Sequence, residues 1–135
     1  MSFVLDCSVT MAWCFDDERT THTDALLEQL IASGAVAPSV WPLEVTNVLL
    51  GAARRGRIKA NSVNTVAQRI RALPITVDEE GAARAWDTTL QLAERHNLTS
   101  YEASYLELAI RKSLPLATLD KVLRVAAKGC GVTVA

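Results

Sequence analysis

Short apolar runs set between longer stretches of helical periodicity limit this chain more than any other feature. Phe3-Val4-Leu5, Ala35-Val36-Ala37, Pro74-Ile75-Thr76-Val77, Pro115-Leu116-Ala117-Thr118-Leu119 and Val132-Thr133-Val134 are such runs. Bounded by turn residues and this short, they read as buried strands. Between them lie helical patterns. One follows a Ser8 cap to about Phe15. A second, opened by Thr21-His22-Thr23-Asp24, carries Leu26, Leu27, Leu30 and Ile31 on one face and stops at Gly34. A third, with Ser39 as its cap, spaces Trp41, Val45, Val48, Leu49 and Ala52 and tolerates Pro42 in its first turn. Asn61 to Leu73, Asp78 to about Asn97, Thr99 onward and Lys121 to Lys128 continue the series. Strands that alternate with helices predict a mostly parallel central sheet covered on both faces, a three-layer α/β/α architecture.

The 135 residues suit one domain, spanning 1–135, that buries roughly two-thirds of its unfolded surface. The uncharged stretch Gly34 to Leu43 is broken by Pro38 and Pro42 and is too short to cross a bilayer, and the N-terminus lacks a basic region. The expectation is a cytoplasmic protein with no membrane partner. Cys7, Cys14 and Cys130 are odd in number and form no C-x-x-C pair, which suggests buried free thiols. With His22 and His96 as the only histidines, any metal here takes oxygen ligands. A formal net charge of -1 provides no global attraction for nucleic acid.

Asp6 and Asp120 each follow an apolar run, so right-handed crossovers place both at the carboxyl edge of a parallel sheet. Glu44 and Glu102 fall early in helices that follow loops, and helix N-termini flank that same edge. Acids brought together repel, raising pKa values unless a cation neutralises them. An all-carboxylate set selects a hard ion, Mg²⁺ or Mn²⁺, which activates water, orients a phosphodiester and neutralises the leaving oxygen. That chemistry is hydrolysis of a nucleic-acid backbone.

Each acid also has a plainer role open to it. Asp6 and Asp120 are placed to cap the helices that follow them, and Glu44 to compensate a helix dipole. Thr99-Ser100-Tyr101-Glu102 fits a capping box. Arg54, Arg55, Arg57 and Lys59 suit either RNA phosphates or the negative end of their own helix, with the helix-end role favoured. Trp13, Trp41 and Trp86 read as core or interface anchors.

Four blocks in order give the chain a family resemblance. They are Phe3-Val4-Leu5-Asp6-Cys7-Ser8, Trp41-Pro42-Leu43-Glu44-Val45-Thr46-Asn47-Val48-Leu49, Leu98 to Ala109, and Leu114-Pro115-Leu116-Ala117-Thr118-Leu119-Asp120. With them the chain resembles PIN-domain ribonucleases, most closely the VapC toxins of bacterial toxin-antitoxin pairs. The resemblance implies an acidic quartet of Asp6, Glu44, Glu102 and Asp120 holding Mg²⁺ or Mn²⁺, with Thr118 beside the last acid and Ser8 and Asn47 in support. It implies RNA cleavage, a homodimer, and a small VapB-type antitoxin received on the apolar faces of Leu26 to Ile31 and Trp41 to Ala52. Where the family commonly has Asp, this chain has Glu102.

Two other classes fit parts of the pattern. One is a PIN fold that binds antitoxin or RNA without efficient cleavage. The other is a phosphoacceptor domain, for which Asp78 with Lys121 is the sole candidate pair.

Overall fold

A computed structural model describes residues 2–135. Four strands, β1 (Val4–Leu5), β2 (Ala35–Ala37), β3 (Ile75–Val77) and β4 (Leu116–Ala117), form one sheet in the order β3-β2-β1-β4, every pairing parallel. Parallel neighbours require crossovers, and the helices supply them. These are α1 (Cys7–Cys14), α2 (Thr21–Ser33), α3 (Trp41–Arg54), α4 (Val63–Arg71), α5 (Gly81–Arg84), α6 (Leu90–His96), α7 (Ser100–Lys112) and α8 (Lys121–Gly129). On one side of the molecule α1 packs on α2 and α3, and α3 on α4. On the other, α7 lies against β1 and β4 and packs on α6 and α8. The sheet is the expected middle layer.

Phe3, Val4, Leu5, Leu116 and Ala117 are fully buried, because a parallel strand covered on both faces has no solvent side. Tyr105, Leu106, Leu108 and Leu123 close over them from α7 and α8. Gly34 ends α2 at φ 76°, ψ 175°, a region open essentially to glycine alone, and a Cβ there would meet the Pro74 carbonyl at 3.2 Å. That close approach lets β2 leave α2 directly into the sheet.

Several element ends depart from the sequence expectations. The run from Pro115 to Leu119 pairs only at Leu116–Ala117, since Thr118 turns its hydroxyl toward Asp6 and Asp120 becomes the N-cap of α8. Val132 to Val134 form no strand, only a parallel bridge from Val134 to Leu116. Ser39 does not cap α3. The Trp41 N–H bonds to the Pro38 carbonyl at 2.9 Å, a turn that leaves Val40 in the cap position with no side-chain bond. Ser8 lies inside α1 rather than at its cap, and Thr20, not Thr21, caps α2 in a reciprocal box with Thr23. Asn61 to Leu73 is a 3₁₀ turn followed by α4, and the helix expected over 78–97 starts at Gly81 and carries a π-helical turn at Ala85–Thr89. On α2 Leu26 and Leu30 are buried and Leu27 packs against the core half-buried, but Ile31 is exposed.

Candidate active site at the carboxyl edge of the sheet

The chain leaves β1 toward β2 and β3 on one side, while β4 lies on the other, so the strand order reverses between β1 and β4. In open parallel sheets, ligands bind in the crevice outside the strand ends at that point. Asp6 follows β1, and Thr118 to Asp120 follow β4. Topology alone therefore delivers two of the expected acids to one place.

Asp6 occupies the N-cap position of α1 without capping it. Its Oδ2 instead accepts hydrogen bonds from the Thr118 hydroxyl at 2.6 Å and the Ser8 hydroxyl at 2.7 Å. Ser8 Oγ in turn accepts the Leu119 N–H at 2.9 Å, and Thr118 Oγ1 the Asp120 N–H at 3.1 Å. The loop after β4 is thereby tied to the start of α1 through the carboxylate. Burial lifts the Asp6 carboxyl above its ordinary value; the Thr118 and Ser8 hydrogen bonds oppose the rise, and the charge of Asp120 adds to it.

Glu44 arrives from α3, whose start is held near Asp6 because Trp41 Nε1 donates to Thr10 Oγ1 at 3.0 Å and Thr10 Oγ1 donates to the Asp6 carbonyl at 3.3 Å. Half-buried, Glu44 also sits above the ordinary carboxylate value, first through burial and then through the charges of Asp6 and Glu102, against the opposing bond from Tyr105. Sequence reasoning placed Tyr105 only on an apolar helix face. Its hydroxyl donates to Glu44 Oε1 at 2.6 Å. The available signal was that a buried tyrosine hydroxyl needs a partner.

Glu102 and Asp120 both take the capping roles open to them. Thr99 N–H donates to Glu102 Oε1 at 2.9 Å while Glu102 N–H donates to Thr99 Oγ1 at 3.0 Å, and Asp120 Oδ1 accepts the Leu123 N–H at 3.1 Å. Asn47 is exposed and lines an open groove with Glu44, Leu43, Leu50 and Tyr101. Among the described residues no three acidic, histidine or cysteine side chains are grouped closely enough to hold a metal ion between them. Among the described residues none of the four acids has an arginine or lysine within ion-pair distance. Mg²⁺ binds through one or two carboxylates and keeps several waters, so an all-oxygen edge with uncompensated charge suits it.

The basic group stays apart. Arg54, Arg55, Arg57 and Lys59 follow the far end of α3, roughly 15 Å along the axis from Glu44 by helical rise. Arg57 is engaged by Asp17 at 2.6 Å and Glu18 at 2.9 Å and lies over the Phe15 ring. Of the helices expected to receive an antitoxin, Trp41, Val45, Leu49 and Ala52 are core, as are Leu26 and Leu30, while Ile31, Leu43 and Leu50 are exposed. Trp86, expected as an anchor, is 85 % exposed. The phosphoacceptor pairing fails outright. Asp78 follows β3 and Lys121 comes soon after β4, at opposite edges of the sheet, and Asp78 is held by Arg111 at 2.8 Å.

The family model of the PIN domain matches residues 3–129. This chain belongs to the PIN domain family. As a PIN domain it is similar over most of its length to known proteins. Ribonuclease VapC3 of Pyrobaculum aerophilum is 26% identical over 123 residues, covering 91% of this chain and 92% of that protein. The crystal structure of PAE2754 from Pyrobaculum aerophilum superposes with a TM-score of 0.70 at 23% identity, over 96% of this chain and 90% of that one. FitAcB from Neisseria gonorrhoeae does so at 0.68 and 19% identity, over 99% and 96%. The fold is thus shared, and no helix among the described residues is long and apolar enough to cross a membrane.

Proposed function

We propose that this PIN domain is a Mg²⁺- or Mn²⁺-dependent endoribonuclease that hydrolyses RNA phosphodiester bonds, and that it serves as the toxin of a VapBC-type pair. The observation that carries this reading is the carboxylate Asp6, buried at the strand-order reversal and oriented by two hydroxyls from separate segments. The PIN family match and the relative named Ribonuclease VapC3 support RNA as the substrate. Asp6, Glu44 and Asp120, with Glu102 at the margin, are the residues that would hold the ion. A divalent cation there supplies an acidified water and neutralises charge on the leaving oxygen. The chain's own part is orientation. Thr118 and Ser8 fix one oxygen of Asp6, Leu123 N–H fixes one of Asp120, and Tyr105 fixes one of Glu44. Water, giving up a proton, attacks phosphorus, the bond to the leaving ribose oxygen breaks and that oxygen takes up a proton, and the RNA falls into two fragments, one ending in phosphate and one in hydroxyl. In the cell, the enzyme acts as a cytoplasmic homodimer restrained by a small antitoxin.

A second reading has its own support. Glu102 is closed into its capping box and no three acids form a cage, as a PIN module that binds antitoxin or RNA without efficient cleavage requires. Incubating antitoxin-free protein with total RNA and Mg²⁺ or Mn²⁺ separates the two. The nuclease yields discrete fragments that disappear with Asp6→Asn and Asp120→Asn. Intact RNA under every metal leaves only the binding module.

A further inference from the structure

We propose that Tyr105 is a positioning residue of the metal site, its hydroxyl setting the rotamer of Glu44 so that the second carboxylate oxygen is presented to the ion. This rests on the metal-nuclease reading above. Tyr105 sits in the middle of α7 with 1 % of its surface exposed, and its hydroxyl donates to Glu44 Oε1 at 2.6 Å across the gap between α7 and α3. It is the only side-chain hydrogen bond on Glu44 among the described residues. Among the described residues no arginine or lysine reaches that carboxylate.

A glutamate in the first turn of a helix has three rotatable bonds, and leaving them free weakens any ion it holds, because the ordering is then lost on binding. Tyr105 removes that freedom beforehand. Its own ring is fixed by burial in the core, so the donor does not move. A carboxylate oxygen only accepts, so in this pair the phenol O–H is the donor. A donor to one oxygen of a ligating carboxylate fixes its orientation, as outer partners do for metal ligands generally, and losing such a partner typically weakens metal affinity by about 10–100-fold.

The experiment is Mn²⁺ binding to the full chain, followed by electron paramagnetic resonance, for wild type, Tyr105→Phe, Glu44→Gln and the double variant. Melting curves confirm that each is folded. Tyr105→Phe keeps the ring and loses the hydroxyl; it is expected to weaken Mn²⁺ binding about 10-fold or more. In the Glu44→Gln background, the same change is expected to have no effect. For RNA cleavage, the Mg²⁺ concentration at half-maximal rate rises while the rate at saturating Mg²⁺ stays near wild type.

The outcomes separate the two layers of argument. If Glu44→Gln leaves Mn²⁺ binding unchanged, Glu44 is not a ligand and the metal-site reading fails with the proposal. If Glu44→Gln weakens binding and Tyr105→Phe does not, or if Tyr105→Phe weakens it equally in both backgrounds, positioning by Tyr105 is overturned. A further measurement needs no change at Tyr105: its hydroxyl proton resonance in wild-type protein shifts as Mg²⁺ is added. An unmoved resonance in metal-saturated protein overturns the proposal.

Discussion

Asp6 illustrates how a functional residue sets itself against stability. Its carboxyl is raised from 3.8 by burial, so the folded state binds its proton more tightly than the unfolded chain. The stability tied to this residue is therefore greatest below 3.8 and is lost as pH rises from there toward the raised folded value. At pH 7, Asp6→Asn is expected to melt a few degrees higher than wild type while losing cleavage; a lower melting temperature would contradict the burial argument. Mg²⁺ at about 100 times its dissociation constant is expected to stabilise wild type by about 2.7 kcal/mol and Asp6→Asn by much less, read as a shift in melting temperature. Glu102→Gln retains a capping box and removes only the charge, so it separates cap from ligand. Reduced cleavage at unchanged stability assigns Glu102 to the site; unchanged cleavage assigns it to the helix. Asp6 was legible as a carboxylate at a strand end, whereas Thr118 and Ser8 were expected beside it only through the family resemblance, Ser8 having read from the residues as a helix cap. Tyr105 was not legible, because a tyrosine on an apolar helix face looks like core until its partner on another helix is known.

Among the elements, α7 is the best anchored. Arg111 near its end bonds Asp78 after β3 at 2.8 Å and Glu107 one turn back at 2.9 Å, with Glu80 at 3.2 Å on the rim. The Glu107 and Asp78 side chains are 2 % and 5 % exposed. Removing one partner of such a cluster leaves uncompensated buried charge, so Arg111→Met is expected to cost about 3–5 kcal/mol in urea unfolding. A loss under 1 kcal/mol would show the cluster to be solvated. The guanidinium of Arg111 holds the Asp78 carboxyl below 3.8, so this stabilisation is present above that value and lost as pH falls through the lower folded one. At the end of α2, Gly34→Ala is expected to cost about 1–3 kcal/mol by the same measurement, because its backbone conformation excludes a Cβ. Helix cores were legible from spacing, as with Trp41, Val45, Leu49 and Ala52. Element ends were not: Ser39 loses its cap to a turn closed at Trp41, and Arg111 reads as a basic pair with Lys112 until the fold brings Asp78 to it.

For the whole molecule, the alternation of short apolar runs with helices sufficed to give the layers, since parallel strands force crossovers. The strand order, β3-β2-β1-β4, is set by pairings between residues far apart in the chain and lies outside local pattern. That order makes the carboxyl edge between β1 and β4 a crevice, and the account stands on hydrolysis taking place there. Cleaving RNA in ¹⁸O-labelled water, with fragments read by mass spectrometry, tests this most directly. The account predicts one labelled oxygen on the single terminal phosphate formed at each cut, the other new end being an unlabelled hydroxyl, dependent on Mg²⁺ or Mn²⁺ and absent with Asp6→Asn. Unlabelled 2′,3′-cyclic phosphate ends, formed equally in chelator and by Asp6→Asn, would assign the cut to the RNA's own 2′-hydroxyl and contradict it.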